Sequence, residues 1–157
     1  MSCMSDTLQG WQQAARKAFA AALNAGHPAR LTSDAVAELA TPVSAIIAIG
    51  KAAAAMAIAA RDFGRESGRD FSDINLEVPG IIVTNDENFV VVDGMECHAS
   101  AHPVPDERGL VAANAVTQMA KNLAGDDHLL LLISGGGSAL LPAPMPGVSL
   151  AEKQQLN

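Results

Sequence analysis

With 157 residues, a formal net charge of −7 and no basic run, the chain is sized for one domain with a real core and lacks the positive footprint of a nucleic-acid binder. It is rich in alanine and aliphatic residues, and no uncharged apolar stretch reaches the roughly 18 residues of a membrane span. Cys3 and Cys97 have neither metal-site nor redox spacing, which suits a reducing compartment. Residues 1–6 show no basic region leading into an apolar one, so the expectation is a cytoplasmic protein without a signal peptide.

Residues 6–25 carry Leu8, Trp11, Ala15, Ala18, Phe19, Ala22 and Leu23 at helical spacing, which predicts an amphipathic helix with its aromatics packed in the core. Gly26 and Pro28 end it, and a shorter helix is expected from Ser33 to Leu39. Val43 to Ile49, rich in β-branched residues, reads as a buried strand. Gly50-Lys51 follows, then an alanine-rich helix to Phe63 with Gly64 as its C-cap and a polar loop from 64 to 79. Gly80 to Thr84 and Phe89 to Val92 read as strands. Asn85-Asp86-Glu87-Asn88 between them suits a hairpin turn, which would make one edge strand antiparallel.

Met95 to Ser100 is a further short strand, and Ala101 to Asp106 is too proline-rich for regular structure. Pro105-Asp106-Glu107 opens a helix to about Leu123, with Ala112, Val116, Met119 and Leu123 inward and Gly125 closing it. His128 to Ile133 reads as a buried strand. Ser149 is the expected N-cap of a last helix from Leu150. The sequence stops inside that helix, so the expectation is a fragment of a longer protein. Its apolar face at Leu150 and Leu156 offers a surface for homo-oligomer formation.

Strands alternating with helices give the fold class: an α/β, three-layer, mostly parallel Rossmann-like sheet with flanking helices, truncated at its end. Ligands in such sheets sit beyond the carboxyl ends of the strands. Gly50-Lys51, His102 to Asp106 and Ser134 to Ser138 all fall there.

The run Ser134-Gly135-Gly136-Gly137-Ser138 directly follows the last strand. Glycine lets a backbone approach a ligand closely, successive N–H groups form an anion nest, and serines add donors. A tight turn with sterically required glycines is the competing reading. No lysine completes a Walker loop, Leu140 breaks a dinucleotide fingerprint begun at Gly135, and neither serine sits in Gly-x-Ser-x-Gly. The loop suits holding an anion.

Lys51, between a strand end and a helix start, is either a cation for phosphate or a solvated surface lysine. His102 is a general base, a substrate-holding group or a donor to its own stiff loop. His98 and His102 have zinc-like spacing only on a helix, which Pro103 and Pro105 forbid. Asp106 is most simply a helix N-cap, with orientation of His102 or of a magnesium-bound phosphate as the sharper reading.

Three motifs in this order resemble the N-terminal part of the glycerate 2-kinases, the family with a second, MOFRL domain. They are Ile49-Gly50-Lys51-Ala52-Ala53 with Met56-Ala57, His102-Pro103-Val104-Pro105-Asp106, and Leu132 to Leu141 around the glycines. Pro144, Pro146-Gly147 and Ser149-Leu150 match the family's segment after the glycine loop, and the likeness covers essentially the whole chain. The resemblance implies ATP-dependent phosphorylation of D-glycerate to 2-phosphoglycerate with Mg2+. It implies Lys51 as the catalytic lysine, and Ser134, Gly135, Gly136, Gly137 and Ser138 lining a substrate or phosphate site with His102 and Asp106. The metal ligands stay unassigned. The label hydroxypyruvate reductase, carried by some members, is discounted because no dinucleotide fingerprint is present.

Asn85-Asp86-Glu87-Asn88-Phe89 departs from the Tyr-Gly-His-like segment of the family. By the same resemblance, residues 1–157 are the N-terminal part of a Rossmann-like kinase domain, with the remainder and the second domain lying outside them. A phosphosugar isomerase-like domain and a non-catalytic anion-binding fragment are the alternatives.

Overall fold

The computed structural model of the chain describes residues 2–66 and 78–156. Most of the polar loop expected between 64 and 79, residues 67–77 with Phe71 among them, therefore lies outside the described residues. One four-stranded sheet runs in the order β3-β2-β1-β4, with β1 at Ala45–Ile49, β2 at Gly80–Asn85, β3 at Met95–Ser100 and β4 at Leu129–Ile133. All three pairings are parallel. Ile49 is level with Val83 and with Ile133, and Val83 with His98, so β1 and β4 end level while β2 and β3 run two residues further, to Asn85 and Ser100, all toward one edge.

The helices are α1 (Ser2–Ala25), α2 (Pro28–Ala37), α3 (Ala53–Glu66), α4 (Glu107–Asn122), α5 (Gly137–Leu140) and α6 (Leu150–Gln155). Successive strand residues point to opposite faces. Ile46, Ala48, Ile82 and Leu132 pack with Val36 of α2 and with Ala53, Ala54, Ala57 and Ala60 of α3 on one side. Ile81 and Val83 pack with Ala112 of α4 and Leu140 of α5 on the other. Three layers result, as the strand–helix alternation predicts. The alanines at 53, 57 and 60, fully buried at helical spacing, let α3 lie close on the sheet. Burying each isoleucine of β1 and β2 contributes roughly 1.5–3 kcal/mol, so these central strands anchor the fold.

Several expectations change. Phe89 to Val92 is not a strand, and no strand of the described sheet is antiparallel. Asp86–Asn88 forms a 3₁₀ turn, in which Asn88 Nδ2 donates to Asn85 Oδ1 at 2.7 Å and Asn85 Nδ2 to a Glu87 carboxylate oxygen. The following residues return without pairing, Val92 entering the core, so that β3 lies parallel to β2. Strand β4 is an edge strand, not a buried one: Leu132 faces the core while Leu131 and Ile133 are 49% and 64% exposed. A continuous apolar run does not say how many of its faces find partners.

The α1 stripe is corrected for the same reason. Trp11 and Phe19 are 71% and 65% exposed, because no described element covers them. Gly64 does not cap α3, which continues to Glu66. The second helix begins at Pro28 instead of Ser33, since proline suits the first helical position. No described helix is long and apolar enough to cross a membrane.

Candidate functional site

In an all-parallel sheet, every strand delivers its following loop to one edge. The order β3-β2-β1-β4 places β2 on one side of β1 and β4 on the other. The connections diverge at that point, and the crevice between β1 and β4 is the topological switch where such sheets bind ligands. The turn after β1 holds Gly50-Lys51, and the loop after β4 holds Ser134 to Ser138.

The two loops are bonded together. Ser134 N–H donates to the Ile49 carbonyl at 2.8 Å and Lys51 N–H to the Gly135 carbonyl at 3.0 Å. The Ser134 hydroxyl accepts from Ala52 N–H at 3.0 Å and donates to the Ile49 carbonyl at 3.3 Å. Ala53 N–H donates to the Gly50 carbonyl at 3.1 Å. The N–H groups at 51, 52 and 53 are thus engaged inside the protein and do not form an open anion nest. What the β1 turn offers a ligand is the side chain of Lys51, which is exposed.

Gly50 has φ +116° and touches Ser134 so closely that a Cβ would lie 2.6 Å from the Ser134 carbonyl oxygen and 2.7 Å from its carbon. Only glycine fits there. Gly136 has φ +93° and caps α5. A Cβ on it would stand 3.0 Å from His102 Cδ2 and 3.2 Å from Nε2, so the half-buried imidazole lies directly against the glycine loop. Ala139 and Leu140, both buried, root α5 in the core. Among the described residues, none accepts from the N–H groups of Gly135, Gly136, Gly137 or Ser138. Gly135 has open space where a Cβ would stand, and Ser138 is exposed.

His102 sits on the loop after β3, joined to Pro103 by a cis peptide bond, and Pro105 is fully buried. Asp106 is the N-cap of α4, as its position predicts: its Oδ1 accepts from Gly109 N–H and from Ala101 N–H, both at 3.4 Å. Gln154 of α6 donates to the Pro105 carbonyl at 2.7 Å, and Ser149 caps α6 in a capping box with Glu152. The loop holding His102 is therefore braced from α4 and from α6.

Sequence reasoning missed Arg108. Its Nε donates to Asp106 Oδ2 at 2.7 Å, while Nη1 and Nη2 donate to the two Asp86 oxygens at 2.6 and 3.0 Å. This fork ties the turn after β2 to the start of α4. The available signal was an arginine in a helix first turn, where the dipole disfavours a cation unless acids hold it.

Hydrogen bonding to Arg108 outweighs burial and lowers the Asp86 pKa. At Asp106 burial raises the pKa, but the bonds from Arg108, Ala101 and Gly109 together bring it below the ordinary value. A folded-state pKa below the unfolded one gives stability that is present above the unfolded value and is lost as pH falls through the folded one. Arg108→Ala is therefore expected to lower the melting temperature at pH 7 and low salt, with the gap to the unaltered protein closing below about pH 4. A gap independent of pH would show that the side chain contributes by packing alone. The pair is exposed, so the effect is small and salt-sensitive.

Of the predicted site residues, the fold brings Lys51, His102 and the run 134–138 to the same edge of the sheet, Lys51 N–H bonded to the Gly135 carbonyl and His102 against Gly136. Asp106 stands behind His102 as a brace, its carboxylate bonded to Arg108 and to backbone. Among the described residues no group of three or more His, Cys, Asp and Glu side chains is placed to hold a metal ion.

Residues 14–157 match the family described as a domain of unknown function, DUF4147. The chain belongs to this family. It is 62% identical over 53 residues to a glycerate kinase of Rattus norvegicus, covering 34% of this chain and 10% of that one. It is 32% identical over 146 residues to an Agrobacterium vitis protein with the provisional name hydroxypyruvate reductase, covering 93% of this chain and 31% of the other. The fold matches the crystal structure of a glycerate kinase from Thermotoga maritima with a TM-score of 0.79 and 29% identity, over 94% of this chain and 34% of that one. This chain thus spans about a third or less of the length of these relatives.

Proposed function

We propose that this chain carries one wall of the active site of an ATP-dependent D-glycerate 2-kinase. The carrying observation is the joined loops after β1 and β4, where Lys51 stands beside the uncommitted N–H groups of residues 135–138 with His102 against the same loop. A cation and a nest of backbone donors suit phosphate and carboxylate oxygens. The relatives named glycerate kinase support the reaction. In that reaction the bond from ADP oxygen to the γ-phosphorus breaks and one to the glycerate 2-oxygen forms, releasing ADP and a proton. Lys51 and the loop donors would meet the anionic groups, and His102 would hold the acceptor.

We place residues 1–157 as the N-terminal part of the Rossmann-like kinase domain. The remaining groups around the nucleotide, including any ligands of Mg2+, would come from sequence beyond it. A reducing cytoplasmic setting fits the two unframed cysteines, and homo-oligomer formation through exposed apolar surface is part of the same proposal.

The reductase name borne by one relative provides the competing reaction. It gains little support here, because the donors at 51–53 that a dinucleotide pyrophosphate would use are bonded to Ser134, Gly135 and Gly50. The test uses protein expressed from the complete reading frame. ADP release with ATP, Mg2+ and D-glycerate is expected at roughly 1 per second or faster, and the product should feed enolase directly. Hydroxypyruvate-dependent oxidation of NADH or NADPH without ADP release would replace this reading by the reductase.

A further inference from the structure

We infer that Ser134 is a positioning residue for Lys51, its hydroxyl acting through the β1–α3 turn and not as a ligand to substrate. The inference rests on the kinase reading. A serine hydroxyl has one proton and two lone pairs. Here the proton goes to the Ile49 carbonyl at 3.3 Å and one lone pair receives Ala52 N–H at 3.0 Å. With Ser134 N–H on the Ile49 carbonyl and Lys51 N–H on the Gly135 carbonyl, the bonds between the loops engage the chain before, at and after Lys51.

The fit is tight as well as bonded. Ser134 occupies the space a Cβ on residue 50 would need, so the serine and the glycine form a single joint. The reason this bears on chemistry is the length of the lysine stem. The Cα–Cβ bond of Lys51 sets the region its flexible four-carbon stem can sweep, and that bond is aimed by the turn. A shift of about 1 Å in a charge-stabilising group is enough to cost a large rate factor. Ser138, exposed on the same loop, is the serine free to meet a ligand.

The experiment combines steady-state kinetics with amide hydrogen exchange on protein from the complete reading frame. Ser134→Ala is expected to lower kcat about tenfold, with KM for D-glycerate and ATP within twofold. Exchange at Ala52 should quicken at least tenfold while β2 is unchanged. In a Lys51→Ala background, adding Ser134→Ala should leave kcat/KM within twofold. Ser134→Cys fills nearly the same space with a weak donor, and gives the same split where the alanine variant does not fold. A tenfold rise in KM with kcat unchanged would make Ser134 a ligand and overturn the inference. Unchanged rates with unchanged exchange would do the same. Absence of glycerate phosphorylation by the unaltered protein would sink the kinase reading instead, while the exchange rates still decide whether the joint holds the turn.

Discussion

Gly50→Ala is expected to destabilise the fold by about 2–6 kcal/mol, seen as a fall in melting temperature of roughly 10 °C. Two costs add. The backbone at φ +116° lies where an L-residue is strained, at about 1–3 kcal/mol. The new methyl would also overlap Ser134, and overpacking of this kind costs about 1–3 kcal/mol. Relief requires moving Ser134, which breaks the bonds joining the loops after β1 and β4. Gly135→Ala is the control, because its φ is not positive and no atom lies within 4 Å of the added methyl. It should change stability by less than about 0.5 kcal/mol. Equal effects of the two substitutions would show that the close contact at Gly50 is not a constraint.

How much was legible in the sequence depends on how local each signal is. The apolar β-branched run around Ile46 and Ile47 names a central strand, and Ala53, Ala57 and Ala60 name the buried face of α3, because burial writes a period into adjacent residues. Capping at Asp106 and Ser149 is equally local. The direction of the chain after Asn85 was not legible. It depends on side-chain bonds that make a 3₁₀ turn out of a segment with hairpin composition. The exposed stripe of α1 and the outer face of β4 show the other limit, since periodicity reveals an apolar face without saying what covers it. For the site, strand ends and residue types were enough to collect Lys51, His102 and the glycine loop. The joint between Gly50 and Ser134 links residues 84 apart in sequence, and the fork of Arg108 on Asp86 and Asp106 spans two loops. Neither leaves a local trace beyond one oddly placed arginine.

On the proposed kinase reading, Lys51→Ala in protein expressed from the complete reading frame is expected to lower kcat/KM for D-glycerate and ATP by about 10²–10³-fold, the range seen when one preorganised charge-stabilising group is removed. The structure narrows the reason. With the N–H groups at 51, 52 and 53 bonded to Gly135, Ser134 and Gly50, the ammonium is the positive group the β1 turn presents at the crevice. Stability should hardly move. The side chain is exposed, and among the described residues no carboxylate pairs with it. The melting temperature is therefore expected within about 2 °C of the unaltered protein, since surface changes of this kind stay within about 0.5 kcal/mol. Lys51→Arg keeps the charge but replaces a compact ammonium by a broad planar fork, so it should recover only part of the rate. The discriminating measurement is kcat/KM alongside the melt. Near-normal turnover in Lys51→Ala would return this lysine to the solvated surface and remove the cation from the proposed site. A large loss of rate with an unchanged melt leaves its charge at the crevice as the cause.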